Sequence, residues 1–396
     1  MAGTIPAIAE PMAAFQTSAH LTIMGLCLAI TACGDSAGSA ETGAGGEAAV
    51  GGEGTGAGSA LGGASEGGGG QGPTGGSGSG GASPQHVLIA QGHVGRTMLS
   101  CDDGQTWVAD RSDDASLRCD AGVDCEHHVG SATGLVVSDG YASMSNGWGT
   151  PGTVRRSADG QSWEVVLSLD FPFASIAGGP AGLMGATPRP WLSTDAGAAW
   201  AQVPEVYLAP PLRQSAYLPQ RNRYVLTSEG NGLRVFTSDD LGQSFQEAAT
   251  LPSGCMAISI ASGNGALVMQ HAQGGVCRSG DAGETWSVVS VDPTVGFRAL
   301  DFVAGRFVLL AEGQLFESDD GATWSSSPSD LDAPIWDLVL GHNEQTGTLV
   351  AAAGAYESQR YFRSADGLAW TEVSGPSGHP LRRFVSGSLA ATACSP

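Results

Sequence analysis

The sequence predicts an all-β fold, a seven-bladed β-propeller of four-stranded antiparallel blades, with one recurrent tight turn in each blade. Three observations lead to this prediction. A segment of the form Ser-x-Asp-x-Gly-x-Thr-Trp, here called the box, occurs in seven near-copies. The first serines of successive boxes are separated by 57, 36, 45, 41, 39 and 46 residues, and such periods are typical of propellers and solenoids. Short runs rich in β-forming residues flank each box. Full-length boxes begin at Ser100, Ser193, Ser238 and Ser279, and boxes one residue shorter begin at Ser157, Ser318 and Ser364.

The residue types of the box explain why it forms a turn. The aspartate at the third position can accept hydrogen bonds from the backbone N–H groups ahead of it, and the glycine supplies the positive φ of a tight turn. The final aromatic residue begins the next strand with its side chain towards a core. We therefore predict that the box aspartates and aromatics stabilise hairpins and do not form a shared site.

The order of the β-rich runs predicts how the propeller closes. Around the Ser279 box, one period contains the four runs 255–262, 266–270, 275–278 and 285–291. Only two runs, 86–91 and 96–99, precede the first box, whereas an extra run, 381–386, follows the last blade. The C-terminal run can supply the innermost strand of the blade that the N-terminal runs begin, which removes an open sheet edge.

The seven boxes resemble the Asp-box, or BNR, repeats of sialidases, sortilin-type receptors, xyloglucan hydrolases and the photosystem II assembly-factor family. The resemblance covers residues 85–396 and is carried by the box and its hairpin. It implies a sialidase-like propeller fold. It does not select one function, because these proteins use one scaffold for different purposes.

Residues 1–32 have the pattern of a bacterial lipoprotein signal peptide. An apolar run of twelve residues, 21–32, is too short to span a bilayer. Cys33 follows Ile30-Thr31-Ala32, and these four residues resemble the lipobox whose cysteine receives lipid. No Lys or Arg occurs before Arg96, so the usual positive n-region is missing and the true start of translation is left open. A plain secreted protein and a cytosolic protein with an apolar segment are the alternatives.

Residues 33–84 are predicted to form a flexible tether, because 22 of the 51 residues in 34–84 are glycine. Gly34 directly after the lipidated cysteine favours an extracytoplasmic lipoprotein of the outer membrane or cell surface. The net charge of −22 and the absence of basic clusters argue against nucleic acid and against electrostatic docking on anionic lipid. We predict that the protein is a monomer and that it contacts the membrane through its lipid anchor.

Six cysteines remain after Cys27 in the signal peptide and Cys33 in the lipid site, and an even number in an oxidising compartment predicts disulfides. Fifteen pairings are possible. Cys101 lies in the first box, and Cys394 follows the closing strand on the face that bears the box turns. We therefore predict the pairs Cys101–Cys394, Cys119–Cys125 and Cys255–Cys277. None of the six has the C-x2-C spacing of a zinc site.

The candidate ligand site lies at the propeller axis, where the innermost strands converge. Aligning these strands on their terminal turns gives a polar column with Asp301, Asp337 and Arg383 on three consecutive blades, beside a column that includes Phe302 and Phe384. Because side chains alternate along a strand, the polar column is expected to face the channel. A wall of solvated polar residues without a ligand is the alternative interpretation.

Trp148 is a second candidate binding residue. It lies in a glycine-rich stretch outside the box register, where it can stack on a sugar or contact a protein, although a blade contact would also explain it. His127 and His128 follow Glu126, but neighbouring residues of a strand point to opposite faces, so we predict no metal site. Nothing in the sequence indicates a cofactor.

No catalytic set of a sialidase can be assembled from the sequence. An N-terminal F/Y-R-I-P motif is missing, and 187–190 is only a loose echo of it. We therefore favour a tethered, non-enzymatic propeller that recognises a protein or a glycan. The alternatives are a carbohydrate-active hydrolase with Asp301 and Asp337 as its carboxylate pair, and an assembly factor for a membrane complex.

Overall fold

The computed structural model describes residues 84–108, 132–147, 152–179, 182–187, 189–204, 206, 208, 212–228, 233–292, 294, 296–297, 299–333, 338–354 and 358–394. The predicted signal peptide, lipid-attachment residue and tether lie outside these residues. Across the described ranges, no helix is long and apolar enough to cross a membrane.

The chain forms seven antiparallel blades, which confirms the predicted seven-bladed β-propeller. The N-terminal strands β1 (Gln85–Gly92) and β2 (Thr97–Ser100) belong to the blade that closes the ring, here called the closing blade. The first three blades that follow are β3 (Ala132–Ser138), β4 (Tyr141–Asn146), β5 (Gly152–Ser157) and β6 (Glu164–Leu169); β7 (Ile176–Gly179), β8 (Gly182–Gly185), β9 (Trp191–Ser193) and β10 (Ala201–Gln202); and β11 (Leu212–Leu218), β12 (Arg223–Ser228), β13 (Arg234–Ser238) and β14 (Gln246–Thr250).

Three further four-stranded blades and one last strand complete the ring. The fourth to sixth blades are β15 (Cys255–Gly263), β16 (Ala266–His271), β17 (Gly275–Ser279) and β18 (Ser287–Ser290); β19 (Ala299–Val303), β20 (Arg306–Ala311), β21 (Gln314–Ser318) and β22 (Ser325–Pro328); and β23 (Val339–His342), β24 (Leu349–Ala353), β25 (Arg360–Ser364) and β26 (Thr371–Val373). The C-terminal strand is β27 (Leu381–Leu389).

The closing blade joins the two ends of the described chain, as the strand count predicted. Strand β27 pairs antiparallel with β1, from Gln85 opposite Leu389 to Gly92 opposite Leu381. The blade order is therefore β27, β1, β2, and an isolated bridge between Leu99 and Val108 supplies the start of a fourth strand. No innermost position of the ring is left as an unpaired edge, which is the reason propellers close in this way.

The box forms one hydrogen-bonded turn in every blade. In the Ser279 box, the Ser279 hydroxyl donates to Asp281 Oδ1 at 2.8 Å and accepts from the Gly283 N–H at 2.8 Å. The second oxygen, Asp281 Oδ2, accepts from the Thr285 hydroxyl at 2.5 Å. The serine–aspartate and glycine–serine bonds recur in all seven boxes. The box aspartates are thus hydrogen-bonded within their own turns, as predicted.

The four longer boxes hold their extra residue in the left-handed conformation. Asp103, Ala196, Leu241 and Ala282 have φ between 55° and 64°, and each is followed by the box glycine, whose φ is also positive. This glycine also approaches the preceding blade closely. A Cβ on Gly104, for example, would lie 2.6 Å from the side chain of Val350 in the sixth blade. Glycine is therefore required twice, by the turn and by the contact between blades.

Seven clusters of buried apolar side chains fill the spaces between neighbouring blades in the described part of the chain, and each cluster contains one box aromatic. Trp107, for example, packs between the sixth and closing blades, with its ring centroid 5.5 Å from that of Phe384. These aromatics are Trp107, Trp163, Trp200, Phe245, Trp286, Trp324 and Trp370. The box thus links the turn of one blade to the core that it shares with the next.

Arginine side chains form hydrogen bonds between some neighbouring blades. The sequence analysis did not predict these bonds. In three boxes an arginine immediately precedes the serine and donates from Nε to a backbone carbonyl in the box of the next blade. The three bonds are Arg156 to Ala196 at 3.0 Å, Arg278 to Asp320 at 2.6 Å and Arg363 to Asp103 at 2.7 Å. The recurring Arg-Ser pair at the start of a box is the sequence signal for this contact.

Two disulfides lie within the described residues. One joins Cys101 to Cys394, with a Cα–Cα distance of 5.7 Å and a sequence separation of 293 residues. The other joins Cys255 in β15 to Cys277 in β17, with a Cα–Cα distance of 5.8 Å and a separation of 22 residues. The first fixes the C-terminal turn to the box of the closing blade. The predicted pair Cys119–Cys125 lies outside the described residues.

The two aspartates of the Ser318 box give a matched test of the turn. Asp320 Oδ1 accepts from the N–H groups of Ala322 and Thr323 at 2.7 and 2.8 Å, whereas the structure gives the side chain of Asp319 no hydrogen bond among the described residues. We expect Asp320→Ala to lower the free energy of unfolding by about 1–2 kcal/mol, as the loss of a helix-capping carboxylate does. Asp319→Ala should leave it within about 0.5 kcal/mol. Chemical denaturation of both variants measures this, and equal values would contradict the role of the box.

The two disulfides should stabilise the fold unequally. A cross-link restricts the unfolded chain more when it closes a longer loop, and each of these is expected to contribute about 2–5 kcal/mol. We expect the double variant Cys101→Ser and Cys394→Ser to lower the unfolding temperature more than Cys255→Ser and Cys277→Ser. Calorimetry under non-reducing conditions compares them. The reverse order would show that the pairing of β1 and β27 holds the ring without help from the cross-link.

Candidate functional site

The innermost strands bring three titratable side chains together near the propeller axis. Asp301 lies in β19 of the fifth blade, His342 ends β23 of the sixth blade, and Arg383 lies near the start of β27 in the closing blade. The three residues thus come from consecutive blades. We call them the axial cluster.

Asp301 and His342 form a hydrogen-bonded pair across the boundary between their blades. His342 Nδ1 lies 2.7 Å from Asp301 Oδ2, and both side chains are largely buried, with 18% and 27% of their surface exposed. The other oxygen, Asp301 Oδ1, accepts from the Phe302 N–H at 2.8 Å. Burial alone would lower the pKa of His342, but the hydrogen bond and charge of Asp301, with the charge of Glu344, raise it on balance. The pair therefore favours the imidazolium form.

The closing blade positions His342 through the turn that follows it. Asn343 Nδ2 donates to Asp103 Oδ1 at 2.8 Å, and the Thr348 hydroxyl donates to Asp103 Oδ2 at 2.7 Å. On the other side, the Glu344 N–H donates to the Ser386 hydroxyl at 2.9 Å. The end of β23 is thus held from two directions, by Asp103 in the box of the closing blade and by Ser386 in β27.

Among the described residues, no side chain neutralises the charge of Arg383 directly. Within the described structure, its guanidinium has no hydrogen bond and no ion pair. Arg383 is half-buried. Burial lowers the pKa of Arg383, and the negative charge of Asp301 opposes this change. Its neighbour Phe384 packs so closely on the sixth blade that a Cβ on Gly341 would lie 2.3 Å from Phe384. Arg383 therefore belongs to a firmly held strand.

The predicted columns agree with the structure in part. The flanking residues Phe302 and Phe384 pack between blades as expected. Ser175, which the same alignment places in the polar column of the second blade, is however fully buried and donates to Ser215 at 2.7 Å, so it joins two blades and does not line an open channel. Strand β23 ends at His342, which follows Asp337 in the sequence, because the turn after the strand spans 343–348. The alignment on terminal turns placed the end of this strand too early.

His342 is the site residue that sequence reasoning missed, and two other candidates cannot be placed. Asp337 and Trp148 both lie outside the described residues. The position beside Asp301 in the sixth blade belongs to His342. The signal that could have located it is the sequence Asn343 to Gly347, whose polar residues and positive-φ glycine indicate a long turn directly after the strand.

The box aspartates do not contribute to this cluster. Partial burial would raise the pKa of Asp281, but hydrogen bonds from Thr285 and Ser279 lower it on balance, and the pKa of every other box aspartate is also lowered. They therefore stay ionised and occupied in separate turns. The described residues contain no group of three or more His, Cys, Asp or Glu side chains that could hold a metal ion.

Comparisons with known proteins add no family. No family model matches the sequence, and no curated protein matches it. One similar solved structure, YCF48 from Cyanidioschyzon merolae, has 14% identity and a TM-score of 0.46, covering 61% of this chain and 84% of that chain. Another, YCF48 bound to D1 peptide, has 17% identity and a TM-score of 0.45, covering 61% and 81%. Neither likeness carries an argument about function, and the Asp-box and lipoprotein interpretations remain predictions.

The Asp301–His342 pair should make stability depend on pH in a defined direction. Because the pKa of His342 is raised in the folded state, the contribution of the pair is complete below the unfolded value of about 6.5. It is lost as the pH rises through the folded value. We expect Asp301→Asn to lower both the pKa of His342 and the free energy of unfolding, the latter by about 1–2 kcal/mol at pH 5.5 and by less at pH 8.5.

NMR titration of the histidine ring protons, with His342→Gln to assign the signal, measures the pKa directly. Glu344→Gln is the graded control, because Glu344 acts on His342 through its charge and not through a hydrogen bond. A pKa of His342 that stayed the same in Asp301→Asn would contradict the pairing.

Proposed function

We propose that this chain is a tethered, non-enzymatic binding protein whose propeller recognises a protein or a glycan through the axial cluster. The observation that carries the proposal is the Arg383 guanidinium, which is half-buried at the axis and has no partner among the described side chains. Protein interiors seldom keep a charged group unpaired, because removal from water is unfavourable without a compensating contact. A ligand that supplies this contact gives the guanidinium a reason to be there.

The surroundings of Arg383 support binding over hydrolysis. Hydrolysis of a glycoside usually needs two carboxyl groups, one of which is free to move a proton. Asp301 is instead engaged on both oxygens, by His342 and by the Phe302 N–H. Its predicted partner Asp337 lies outside the described residues. We therefore do not advance the hydrolase alternative, and no contact in the structure favours the assembly-factor alternative.

The location of the protein is part of the same proposal. A lipid on Cys33 and a glycine-rich tether over 34–84 would hold the propeller outside the cytoplasm, at the outer membrane or cell surface. The disulfides Cys101–Cys394 and Cys255–Cys277 suit an oxidising compartment. A membrane anchor and a mobile tether would allow one propeller to search a volume around its attachment point.

The proposal is tested by screening the full chain against a panel of bacterial surface glycans and a peptide display library, followed by titration of each hit. We expect Arg383→Gln to weaken binding by about tenfold or more, the effect of losing one charge-assisted contact. Arg221→Gln is the matched control, because Arg221 is exposed and its side chain has no hydrogen bond or ion pair among the described residues.

Two results would overturn this function. Hits that bind both variants as tightly as the unchanged protein would remove the axial cluster from recognition. Turnover of fluorogenic glycosides that disappears in Asp301→Asn would show that the protein is a hydrolase.

A further inference from the structure

We propose that the axial cluster binds a singly charged oxyanion group of the ligand, a carboxylate or a phosphodiester, between Arg383 and His342. This inference deepens the proposed function and rests on it, since it names the chemical group that the partner presents. It also assigns a role to His342, which nothing in the box pattern requires.

The axial cluster has hydrogen-bond donors that remain open within the described structure. The described structure gives the Arg383 guanidinium no hydrogen-bond acceptor, although a guanidinium carries five N–H donors in a planar fork. His342 uses Nδ1 for Asp301, and its Nε2 has no partner within the described residues. In the imidazolium form Nε2 is a donor as well. The cluster therefore offers a bidentate fork and a switchable third donor.

An oxyanion is the kind of ligand group that fits these donors. Two parallel N–H groups of an arginine match the two oxygens of a carboxylate or of a phosphate group, and such charge-assisted bonds are about twice as strong as neutral ones. A hydroxyl or amide would leave the guanidinium charge uncompensated. An oxyanion supplies the counter-charge that Arg383 lacks among the described residues.

The charges around the axial cluster favour a ligand group with a single negative charge. Asp301 is close enough for its charge to act on Arg383, and Glu344 follows His342 in the adjoining turn. The charges of Arg383 and Asp301 cancel. The axial cluster is therefore about neutral when His342 is unprotonated and carries one positive charge when His342 is protonated. The whole chain carries a net charge of −22, which disfavours ligands with several negative charges.

Protonation of His342 makes the binding of the anion depend on pH. Among the described residues, the charged and titratable groups on the elements packed around His342 and its turn are Asp301 from β19, Glu344 from the turn itself, Asp103 from the box of the closing blade, and Arg382 and Arg383 from β27, while β24 contributes none. Arg382 is engaged with His93, at 2.7 Å from Nε to Nε2. Protonation of His342 therefore changes the charge presented to the anion directly, and binding is expected to tighten as the pH falls.

The experiment uses defined small probes on the full chain. These are N-acetylglycine for the carboxylate, dimethyl phosphate for the phosphodiester, N-acetylglycinamide as the neutral control, and sulfate as the dianion. Binding is followed by the His342 ring signals in NMR and by the unfolding temperature, at pH 5.5 and 8.5 and constant ionic strength. We expect N-acetylglycine, dimethyl phosphate or both to bind, about tenfold more tightly at pH 5.5 than at pH 8.5. Which of the two probes binds shows whether the ligand presents a carboxylate or a phosphodiester.

Four variants separate the roles of the residues. Arg383→Gln should abolish monoanion binding, while Arg383→Lys should retain part of it because the charge remains and the fork is lost. His342→Gln should keep binding at pH 8.5 and lose the tightening at pH 5.5. Arg383→Met should raise the unfolding temperature in buffer without anions, since it removes an unpaired charge, and added monoanion should narrow that difference.

Several outcomes would overturn the inference. These are equal binding of the neutral control, tighter binding of sulfate than of the monoanions, or monoanion binding that persists in Arg383→Gln. Failure here is distinguishable from failure of the proposed function. If glycan or peptide hits still depend on Arg383 while no small anion binds, the axial cluster recognises its partner by another chemistry and only this inference is wrong.

Discussion

The pairing of β27 with β1 is the contact on which the rest of the structure depends. Each blade touches only its two neighbours, so the clusters of apolar side chains between blades are complete only when the ring is closed. Eight positions of β1 are paired with β27, and the Cys101–Cys394 disulfide covers the same junction. Closure therefore completes two inter-blade clusters at once, those on either side of the closing blade. It also leaves no innermost strand with open hydrogen-bonding groups.

The same closure assembles the axial cluster. Arg383 lies in the closing strand itself, and the turn after His342 is held by Asp103 and Ser386, both from the closing blade. The end of β23 is thereby fixed, and His342 meets Asp301 of the fifth blade. An open ring would lose these contacts together with the seam. The site is consequently a product of long-range topology, although its residues lie on ordinary strands.

The structure separates two sets of aspartates that look alike as residues. The box aspartates accept hydrogen bonds from their own turns, and their lowered pKa values reflect that local engagement. Asp301 instead faces another blade, and it raises the pKa of a histidine there. Asp103 stands between these cases, because it is a box residue whose carboxylate is shared with the sixth blade. Repetition thus indicates structural aspartates, and departure from the repeat indicates aspartates that join blades or build the axis.

The sequence by itself determined the number of blades, the box turns and the closing strand, because these depend on local turn chemistry and on a count of runs. The serine, aspartate and glycine of each box interact within a few residues of one another, so their roles are readable without coordinates. The tertiary structure alone decided that His342 lies beside Asp301, 41 residues away, and that Arg383 has no partner among the described residues. The reason is register: the longer turn at 343–348 shifts which residue of the sixth blade reaches the axis, and neighbouring blades meet only after the ring has closed.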